Sequence, residues 1–426
     1  MKSTAMESNV TGTNSSRPSV AIAGAGLAGL CLAQSLHAAG IDVHVYERDP
    51  GPSARRQGYR ITVDGSGRAA LRQCVPAELF ELISAVSGAP GGYFRFTNKD
   101  LRDAFTLHFD EADPDKASHQ MDRQTLRTIL LQGLEGRVHF GKGAVSVEQG
   151  GDGVELHLSD GTSTRADVVV GADGIGSALR AFTLPDHEPI DSGMRALHGR
   201  VPLEVRGRSV MPQALASSGV LAVGDRPGHA AFFTSMRFGE RPSTAFARLA
   251  PGAGAPVDDD YAMWALVFPG GAEPFTDPQP TPSQLHEFAT ALVADFHPVI
   301  RELIAEAQPE YTMAVELKAA PRPRSWRMSR VTLLGDAVHV MPPLGAHGGN
   351  TALRDAALLA GKLEQAVEQG GSLEHAVSAY QDEMVPYAFE AVDEASKQLR
   401  RLSSSNPVQR WITLRALPRL HRVTVP

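Results

Sequence analysis

The hydrophobic pattern near the start of the chain changes its period twice within about 30 residues. Ser19–Ala23 is a short apolar run, which is typical of a buried strand. A glycine-rich turn follows, and residues 30–39 then place apolar side chains at helical spacing before Gly40. Residues 41–47 alternate between apolar and polar side chains, as a second strand does. The pattern therefore predicts a strand–turn–helix–strand unit.

The turn of this unit, residues 24–29, reads GAGLAG and has the GxGxxG spacing of a dinucleotide-binding fingerprint. The first glycine permits a tight turn, the second lets the backbone approach a pyrophosphate, and the third lets helix and strand pack closely. The helix offers free N–H groups and a partial positive charge to the phosphates. Glu47, 18 residues after the last glycine, can accept hydrogen bonds from an adenosine ribose and repels a 2′-phosphate. The unit predicts FAD or NAD, not NADP, bound by Gly24, Gly26, Leu27, Ala28, Gly29, Glu47 and Arg48.

Composition narrows the class of protein. The 426 residues are 42% hydrophobic and 21% charged, which is ordinary for a globular protein, and this length predicts two or three domains. The net charge of −7 gives no general attraction to nucleic acid. Cys31 and Cys74 are the only cysteines and lie in no ligand pattern, so we expect no metal site and a reducing, cytoplasmic location. Residues 1–17 predict a disordered tail, and no segment predicts a transmembrane span.

Three later segments carry further motifs. Residues 166–174 predict a buried strand that ends in Asp-Gly, and residues 330–336 predict another that ends in Gly-Asp. The second of these strands leads into a glycine-rich loop, residues 341–350, and a helix from Thr351 to about Val367. Residues 121–127, MDRQTLR, lie between the first unit and these strands. A Gly-Asp pair alone is typical of a strand-ending turn with a helix cap. It therefore indicates a cofactor site only in combination with the other motifs in this order.

In this order and at these separations, the motifs resemble those of the class A flavoprotein monooxygenases. That family includes p-hydroxybenzoate hydroxylase, salicylate hydroxylase and the tetracycline-inactivating monooxygenases. The resemblance covers roughly residues 18–395. It implies an α/β plus α+β fold: a Rossmann-like FAD-binding domain with an inserted, mostly antiparallel β-sheet substrate domain and C-terminal helices.

The resemblance also implies roles for particular residues. Asp336 matches the residue that binds the ribityl chain of FAD, and loop 343–350 matches the loop that lies along the isoalloxazine. Arg123 matches an arginine that contacts the flavin, and Arg55 one that flanks the adenosine or reducing-nucleotide site. The family loop has glycine where this chain has Ala346, so we expect a different loop path over the flavin. The cofactor-binding residues implied in this way are Arg55, Arg123, Asp173, Gly335, Asp336, Pro343, Gly348, Gly349 and Asn350.

The expected chemistry follows from these cofactors. The chain has no second GxGxxG unit, so we expect NADPH or NADH to visit transiently and reduce a resident FAD. No Cys or His lies where the flavin motifs would offer an attachment point, which predicts non-covalent FAD. In the family, O2 then adds at flavin C4a, and the resulting hydroperoxide oxygenates a substrate that the protein shields from water. We therefore expect a monooxygenase that hydroxylates or epoxidises a small aromatic or polycyclic, natural-product-like substrate.

Residues 184–282 have a different sequence pattern from the segments before them, because Pro and Gly separate short strand-like runs such as 230–234 and 261–268. This pattern predicts the inserted antiparallel sheet, which would form one wall of a substrate pocket. A phenol titrates near ~10, so a neutral-pH hydroxylase needs a base or a cation beside the substrate hydroxyl. The residues that we expect to supply it are Arg195, His198, His229 and Arg237. Further residues expected near the pocket are Tyr59, Arg60, Arg200 and Trp264.

The expected domain organisation is discontinuous. The FAD-binding domain is expected at residues 18–72, 104–183 and 285–360, the substrate domain at 73–103 and 184–284, and a C-terminal helical region at 361–426. No acidic residue follows Glu394, and the arginine-rich end predicts a terminal helix docked on the protein itself. We expect a monomer or a homodimer with no nucleic-acid partner.

Two classes of alternative stay open. The same fold also supports FAD-dependent reductases and halogenases, although the halogenase signature Trp-x-Trp-x-Ile-Pro does not occur in the sequence. The second class is a non-catalytic flavoprotein that acts as a binding module. O2 uptake coupled to a substrate separates a monooxygenase from a reductase, and a redox-silent protein would indicate the binding module.

Overall fold

The computed structural model describes residues 17–54, 59–89, 93–102, 105–108, 117–151, 153–205, 208–209, 219–274, 279–324, 326 and 328–406. The strands are β1 (Ser19–Ala23), β2 (Asp42–Glu47), β3 (Arg60–Val63), β4 (Tyr93–Asn98), β5 (Phe105–His108), β6 (His119–Asp122), β7 (Val138–Phe140), β8 (Ala144–Gly150), β9 (Gly153–Leu158), β10 (Ser163–Ala166), β11 (Val168–Gly171), β12 (Ile190–Pro202), β13 (Glu204–Val205), β14 (Arg208–Ser209), β15 (Val220–Val223), β16 (Ala230–Met236), β17 (Tyr261–Pro269), β18 (Met313–Ala319) and β19 (Val331–Leu333). The helices are α1 (Leu27–Ala38), α2 (Gly65–Cys74), α3 (Ala77–Val86), α4 (Arg123–Leu130), α5 (Arg180–Thr183), α6 (Pro242–Leu249), α7 (Pro282–Leu292), α8 (Pro298–Ala305), α9 (Asp336–His339), α10 (His347–Gln369) and α11 (Leu373–Ser403).

The first layer is a five-stranded parallel sheet with the strand order β19-β11-β1-β2-β7. All four residues of β11 are apolar or glycine and buried, as expected where both faces of a parallel sheet are covered. Helices α1 and α10 pack together over this sheet, and the antiparallel sheet β10-β9-β8 contacts β1 and β11. The carboxyl ends of the parallel strands meet at one edge, so the glycine turn, Glu47, Asp173 and Asp336 lie on the same side of the sheet.

The second layer is a seven-stranded sheet with the order β18-β12-β17-β16-β15-β4-β5, antiparallel except for the pair β15–β4. Side chains alternate between its two faces. Phe233 and Trp264 lie on what we call the outer face, where they pack in the same core as helices α7 and α8. Met194 and Ala196 lie on the inner face, which contacts Leu344 of the predicted flavin loop and helix α11. The inner face is therefore the face that the FAD-binding part covers.

This architecture confirms the predicted fold class and the predicted strands at β16 and β17. It differs from the expected domain boundaries in three places. Helix α3 lies in the predicted substrate segment 73–103, yet it packs in the core of the FAD-binding part. Strand β18, helix α8 and most of helix α7 fall within the predicted FAD-binding segment 285–360, yet β18 is an edge strand of the seven-stranded sheet. Strand β5, within 104–183, likewise pairs with β4 of that sheet. The pairing of β18 with β12 leaves no local signal because the two strands are far apart in sequence, whereas β5 pairs with a strand close to it in the chain.

The two C-terminal helices pack against each other and extend the core of the FAD-binding part. Helix α11 buries Tyr380 and Phe389. No helix in the described parts of the chain is long and apolar enough to cross a membrane. The same residues contain no group of three or more His, Cys, Asp or Glu side chains that could hold a metal ion. The predicted tail, apart from Arg17, and the terminal segment 407–426 lie outside the described residues.

Candidate active site

The turn between β1 and α1 is shaped so that its middle glycine faces open space. Gly24 has φ +106°, and a Cβ atom there would overlap the carbonyl group of Ala172. A Cβ atom on Gly29 would overlap the carbonyl oxygen of Gly24, because α1 and β1 approach closely. Gly26 instead has φ −74° and ψ 178°, which any residue adopts, and a Cβ atom there meets no protein atom within 4 Å. The open position at the start of α1 fits a phosphate group, which needs close backbone approach and free N–H groups.

Glu47 and Arg127 connect this turn to the end of β2. Glu47 is buried, and its Oε2 and Oε1 accept hydrogen bonds from the N–H groups of Ala25 at 2.8 Å and Asp49 at 2.9 Å. Arg127 donates from Nε to the carbonyl oxygen of Ala25 at 2.8 Å, and its Nη2 lies 4.0 Å from Glu47 Oε2. Sequence reasoning missed Arg127, although its spacing of four residues from Arg123 places both on one side of α4. The pair presents an acid and a cation beside the phosphate turn, as an adenosine diphosphate group requires.

Asp173 shapes the neighbouring turn. Its Oδ2 accepts a hydrogen bond from the N–H group of Ala178 at 2.9 Å. Burial raises the pKa of its carboxyl, against the effect of a hydrogen bond with Ser177. Asp173 follows Ala172, whose carbonyl lies against Gly24, so in this structure it holds the backbone beside the phosphate turn. Of the other residues predicted for this end, Leu27 and Ala28 lie in the first turn of α1, Arg48 is exposed after β2, and Arg55 lies outside the described residues.

Gly335 and Asp336 follow strand β19, at the edge of the parallel sheet where the glycine turn also lies. Gly335 has φ +62° and ψ −142°, a conformation that favours glycine. The side chain of Asp336 is exposed, yet enough protein surrounds it that desolvation raises its carboxyl pKa, while His339 and Arg123 lower it. An exposed carboxylate in such dense surroundings lies at the bottom of a cleft. A ribityl chain, whose hydroxyl groups donate hydrogen bonds, fits this environment.

Alanine in place of Asp336 should lower flavin occupancy without unfolding the chain. The change removes hydrogen bonds to the ligand worth about 1–3 kcal/mol, which is roughly a 5- to 150-fold loss of affinity. Titration of the apoprotein with FAD, followed by flavin fluorescence, measures this loss. Glu47→Ala should act in the same direction at the ribose end, and full FAD loading of both variants at limiting FAD would contradict the assigned roles.

The loop between α9 and α10 exposes the N-terminus of a long helix. Gly345 and Ala346 have φ values of +75° and +59°, so Ala346 adopts the left-handed conformation that glycine takes at lower cost. Helix α10 begins at His347 with no side-chain cap at Ala346, and its first turn contains Gly348 and Gly349. The partial positive charge of this helix end favours a group that gains negative charge, as a flavin does on reduction.

Asn350 holds this loop in place. Its Nδ2 donates hydrogen bonds to the carbonyl oxygens of Thr62 at 3.0 Å and Ala346 at 2.9 Å. Its Oδ1 accepts one from the N–H group of Asp64 at 3.1 Å. Asn350 is buried, whereas Pro343 is exposed at the start of the loop. The structure therefore ties the flavin loop to strand β3 through Asn350.

The four residues predicted to supply a base or a cation do not lie together. Arg195 pairs with Phe268 in β17, a residue of the outer-face core, so its side chain lies on the outer face. His229 lines a small cavity with Phe296 of the same core. Arg237 follows the end of β16, and its side chain is 56% exposed. The expected grouping is therefore corrected for Arg195 and His229, whose side chains lie beside the outer-face core.

His198 is the member of the four that lies on the inner face, two residues along β12 from Ala196. Its ring lies 5.2 Å from the ring of Tyr59 in an edge-to-face arrangement. The guanidinium carbon of Arg123 lies 5.7 Å from the centre of the same tyrosine ring. Tyr59 thus connects the sheet residue His198 with Arg123, whose charge acts on Asp336.

His198 should make the protein sensitive to mild acid. Burial lowers the pKa of its imidazole to about 4, whereas an unfolded chain has a value near ~6.5. The unfolded chain then binds the proton more tightly, so stability present above about pH 6.5 is lost as the pH falls towards about 4. Between these pH values, the wild type should lose about 1–3 kcal/mol more free energy of unfolding than His198→Gln. Urea denaturation at the two pH values measures this loss. The control His375→Gln, at an exposed position of α11, should lose as much free energy of unfolding as the wild type.

The glycine turn, the acid at the end of β2 and the inserted antiparallel sheet are the arrangement expected of an FAD-binding protein. Comparison with known proteins then gives the family. A model described as "FAD binding domain" matches residues 17–196 and 273–395, and the chain belongs to this family. Its relatives are class A FAD-dependent monooxygenases.

The similarity to individual relatives extends over different fractions of their length. The chain is 28% identical to a 3-amino-4-hydroxybenzoate 2-monooxygenase of Streptomyces platensis, covering 97% of this chain and 96% of that one. It is 32% identical to a dual O-methyltransferase/FAD-dependent monooxygenase of Phaeosphaeria nodorum over 80% of this chain, but it spans only 39% of that longer protein. A crystal structure described as a putative FAD-containing monooxygenase of Photorhabdus luminescens is 30% identical with a TM-score of 0.76, covering 91% of this chain and 98% of that one.

Proposed function

We propose that the protein is a monooxygenase that uses FAD, NADPH or NADH, and O2 to hydroxylate or epoxidise a small aromatic or polycyclic substrate. One observation carries this proposal. Tyr59 brings together Arg123, at the flavin end of the cleft, and His198 on the inner face of the inserted sheet. A substrate held on that face would lie beside the flavin, as oxygen transfer requires.

The inner face also carries aromatic rings that suit a flat substrate. Phe232 pairs with Ala265, which pairs with His198 in the next strand, so these residues share one face. The ring of Phe94 stacks on Phe232 at 5.9 Å, and Phe96 lies 4.7 Å from Phe94. All three phenylalanines are half-buried, which leaves ring surface to stack on a ligand. The Streptomyces relative is named for an aromatic compound of this kind.

Each part of the site has a separate task in this proposal. When bound, FAD supplies electron transfer from the nicotinamide nucleotide and the activation of O2. Gly26, Glu47 and Arg127 would hold its pyrophosphate and adenosine end, and Asp336 its ribityl chain. His198 is uncharged at neutral pH because burial lowers its pKa to about 4. It can therefore accept a hydrogen bond from a substrate hydroxyl and orient that group, while the sheet excludes water.

The test is a screen of aromatic compounds with the holoenzyme. A substrate should stimulate NAD(P)H oxidation, and mass spectrometry should find one oxygen atom from labelled O2 in the product. A product that is reduced or halogenated instead would contradict the proposal in favour of another enzyme on this fold. Denatured protein should release free FAD, and flavin retained by the denatured chain would contradict non-covalent binding.

Alanine in place of His198 should uncouple the reaction. The variant keeps the flavin end intact, so FAD and NAD(P)H oxidation should persist while product falls and hydrogen peroxide rises several-fold. In Arg195→Ala, NAD(P)H oxidation should stay coupled to product formation, because that side chain lies on the outer face. Normal coupling in His198→Ala would show that the substrate lies elsewhere.

The choice between NADPH and NADH stays a prediction, as do the cytoplasmic location and the monomeric or homodimeric state. Parallel titrations with NADPH and NADH, and sedimentation of the holoenzyme, test the first and the last of these.

A further inference from the structure

Asp122 accepts hydrogen bonds from both the FAD-binding part and the inserted sheet. It is fully buried and precedes helix α4, where its Oδ1 accepts from the N–H group of Thr125 at 2.8 Å and from the Thr125 hydroxyl at 2.9 Å. Its Oδ2 accepts from the hydroxyl of Tyr261, the first residue of β17, at 2.7 Å. All three partners are donors, as an ionised carboxylate requires. A single side chain therefore connects α4 with the seven-stranded sheet.

On the FAD side, Asp122 fixes the start of the helix that carries two candidate cofactor arginines. Its side chain is the N-cap of α4 and satisfies a backbone N–H group that would otherwise lack a partner. Arg127 in this helix donates to the carbonyl oxygen of Ala25 in the phosphate turn, and the charge of Arg123 acts on Asp336. The position of Asp122 is therefore tied to the position expected for FAD.

On the sheet side, Tyr261 belongs to the inner face, which is the proposed substrate wall. It pairs with Pro202 in β12 and with Met236 in β16. It precedes Ala265, the neighbour of His198, by four residues, and residues an even number apart in a strand share a face. Protein interiors are barely compressible, so paired strands transmit a displacement. A shift of Tyr261 would therefore move the strand that carries His198.

The buried charge of Asp122 lies close to two arginines. Arg60 lies opposite Asp122 in the β3–β6 pair, and burial lowers the pKa of its guanidinium to about 10, so it stays protonated at neutral pH. Burial raises the pKa of Asp122, whereas its hydrogen bonds and the charge of Arg200 lower it. A buried charge adds little net stability, but every arrangement that leaves it unpaired is costly. Asp122 therefore favours one arrangement of the two parts that it joins.

We infer that Asp122 and Tyr261 are positioning residues, which set the distance between the flavin and the substrate wall. This inference rests on the proposed function, because the distance affects the reaction only if the wall holds a substrate. Oxygen transfer needs its reacting atoms about 3–3.5 Å apart, and a displacement of about 1 Å can lower the rate about a hundredfold. A longer contact, from the N–H group of Arg237 to Gln120 Oε1 at 3.4 Å, also joins the sheet to β6. Loss of the bond between Asp122 and Tyr261 should therefore shift the sheet without detaching it.

The distance can be measured by energy transfer from a tryptophan to the bound flavin, which needs no substrate. Trp264 is fully buried in β17, three residues after Tyr261, and it becomes the only tryptophan in a Trp326→Phe/Trp411→Phe background. In the holoprotein, Tyr261→Phe should lengthen the fluorescence lifetime of Trp264 by at least about 20%, for a displacement on the order of 1 Å. The lifetime in the apoprotein should not change, because no flavin is then present to accept the energy.

The matched control is Tyr380→Phe. It also removes the hydroxyl of a fully buried tyrosine, but that hydroxyl donates to the carbonyl oxygen of Leu333 at 3.0 Å, within the FAD-binding part. The lifetime of Trp264 should stay unchanged in this variant. Asp122→Asn keeps a good N-cap but loses the charge that strengthens the bond to Tyr261, so it should lengthen the lifetime as Tyr261→Phe does. If Tyr261→Phe does not fold, Asp122→Asn decides the question in its place.

Unchanged lifetimes of Trp264 in both Tyr261→Phe and Asp122→Asn would overturn the inference. So would an equal change in the apoprotein, which would indicate a local effect on the tryptophan. With a substrate from the screen, Tyr261→Phe should form product at least about tenfold more slowly, while its FAD affinity and NAD(P)H oxidation stay within about threefold of the wild type. Normal product formation despite a longer lifetime would overturn the role in the reaction. If no aromatic compound is oxygenated, the proposed function fails, whereas the lifetime still tests the distance.

Discussion

Valine in place of Gly26 should leave the chain folded and abolish its stable binding of FAD. Position 26 has an extended backbone that valine adopts, and a Cβ atom there meets no protein atom within 4 Å. The valine methyl groups would instead occupy the space of a pyrophosphate and cover the N–H groups at the start of α1. We expect the FAD affinity to fall at least about a hundredfold, or about 2.7 kcal/mol, when the apoprotein is titrated with FAD.

The matched control is Gly29→Ala, one turn further along α1. A Cβ atom at that position overlaps the carbonyl oxygen of Gly24, so it strains the packing of α1 on β1 whether or not a ligand is present. Its apoprotein should melt several degrees earlier, whereas the Gly26→Val apoprotein should melt within about 2 °C of the wild type. Undiminished FAD loading of Gly26→Val would mean that this turn does not hold the pyrophosphate.

The nucleotide end could be predicted because its signals are local. The apolar run of β1, the helical spacing of α1 and the alternation in β2 each lie within one element, and the structure has these elements within a few residues of the predicted bounds. The roles of the glycines can be inferred from the same short segment, since Cβ atoms at Gly24 and Gly29 would meet the backbone of adjoining elements. Neither inference depends on contacts between distant parts of the chain.

The substrate wall could not be predicted in the same way. Strand β12 has both faces partly covered, so its residues show no simple alternation that would tell Arg195 from His198. A shift of one residue in register moves a side chain to the other face, and only the pairing with β17 fixes that register. The hydrogen bond that joins Asp122 to Tyr261 is likewise visible only in three dimensions, because the two residues are far apart in the sequence.

A buried network beneath the flavin cleft depends on a residue that no motif indicated. The Oδ2 atom of Asp355 accepts hydrogen bonds from the N–H group of Gly335 at 2.9 Å and from His339 Nε2 at 2.6 Å. Its Oδ1 atom accepts one from the Tyr387 hydroxyl at 2.7 Å. His339 and Asp355 are fully buried. Burial lowers the pKa of His339, but the charge of Asp355 and its hydrogen bond raise it above the usual value. The pair therefore holds the turn that presents Asp336.

Alanine in place of Asp355 should destabilise the protein and weaken its hold on FAD together. The change leaves His339 and the Gly335 N–H group buried without their partner, and breaking a buried pair costs about 3–5 kcal/mol. Tyr387→Phe removes one hydrogen bond only and should cost about 1 kcal/mol with normal FAD loading. Urea denaturation of the apoproteins measures both values. The double variant His339→Leu/Asp355→Leu should be less destabilised than the sum of its single variants, because no charge is then left unpaired. Additive losses would show that the two side chains do not act as a pair, and unchanged FAD affinity in Asp355→Ala would show that the Gly335 turn keeps its shape without them.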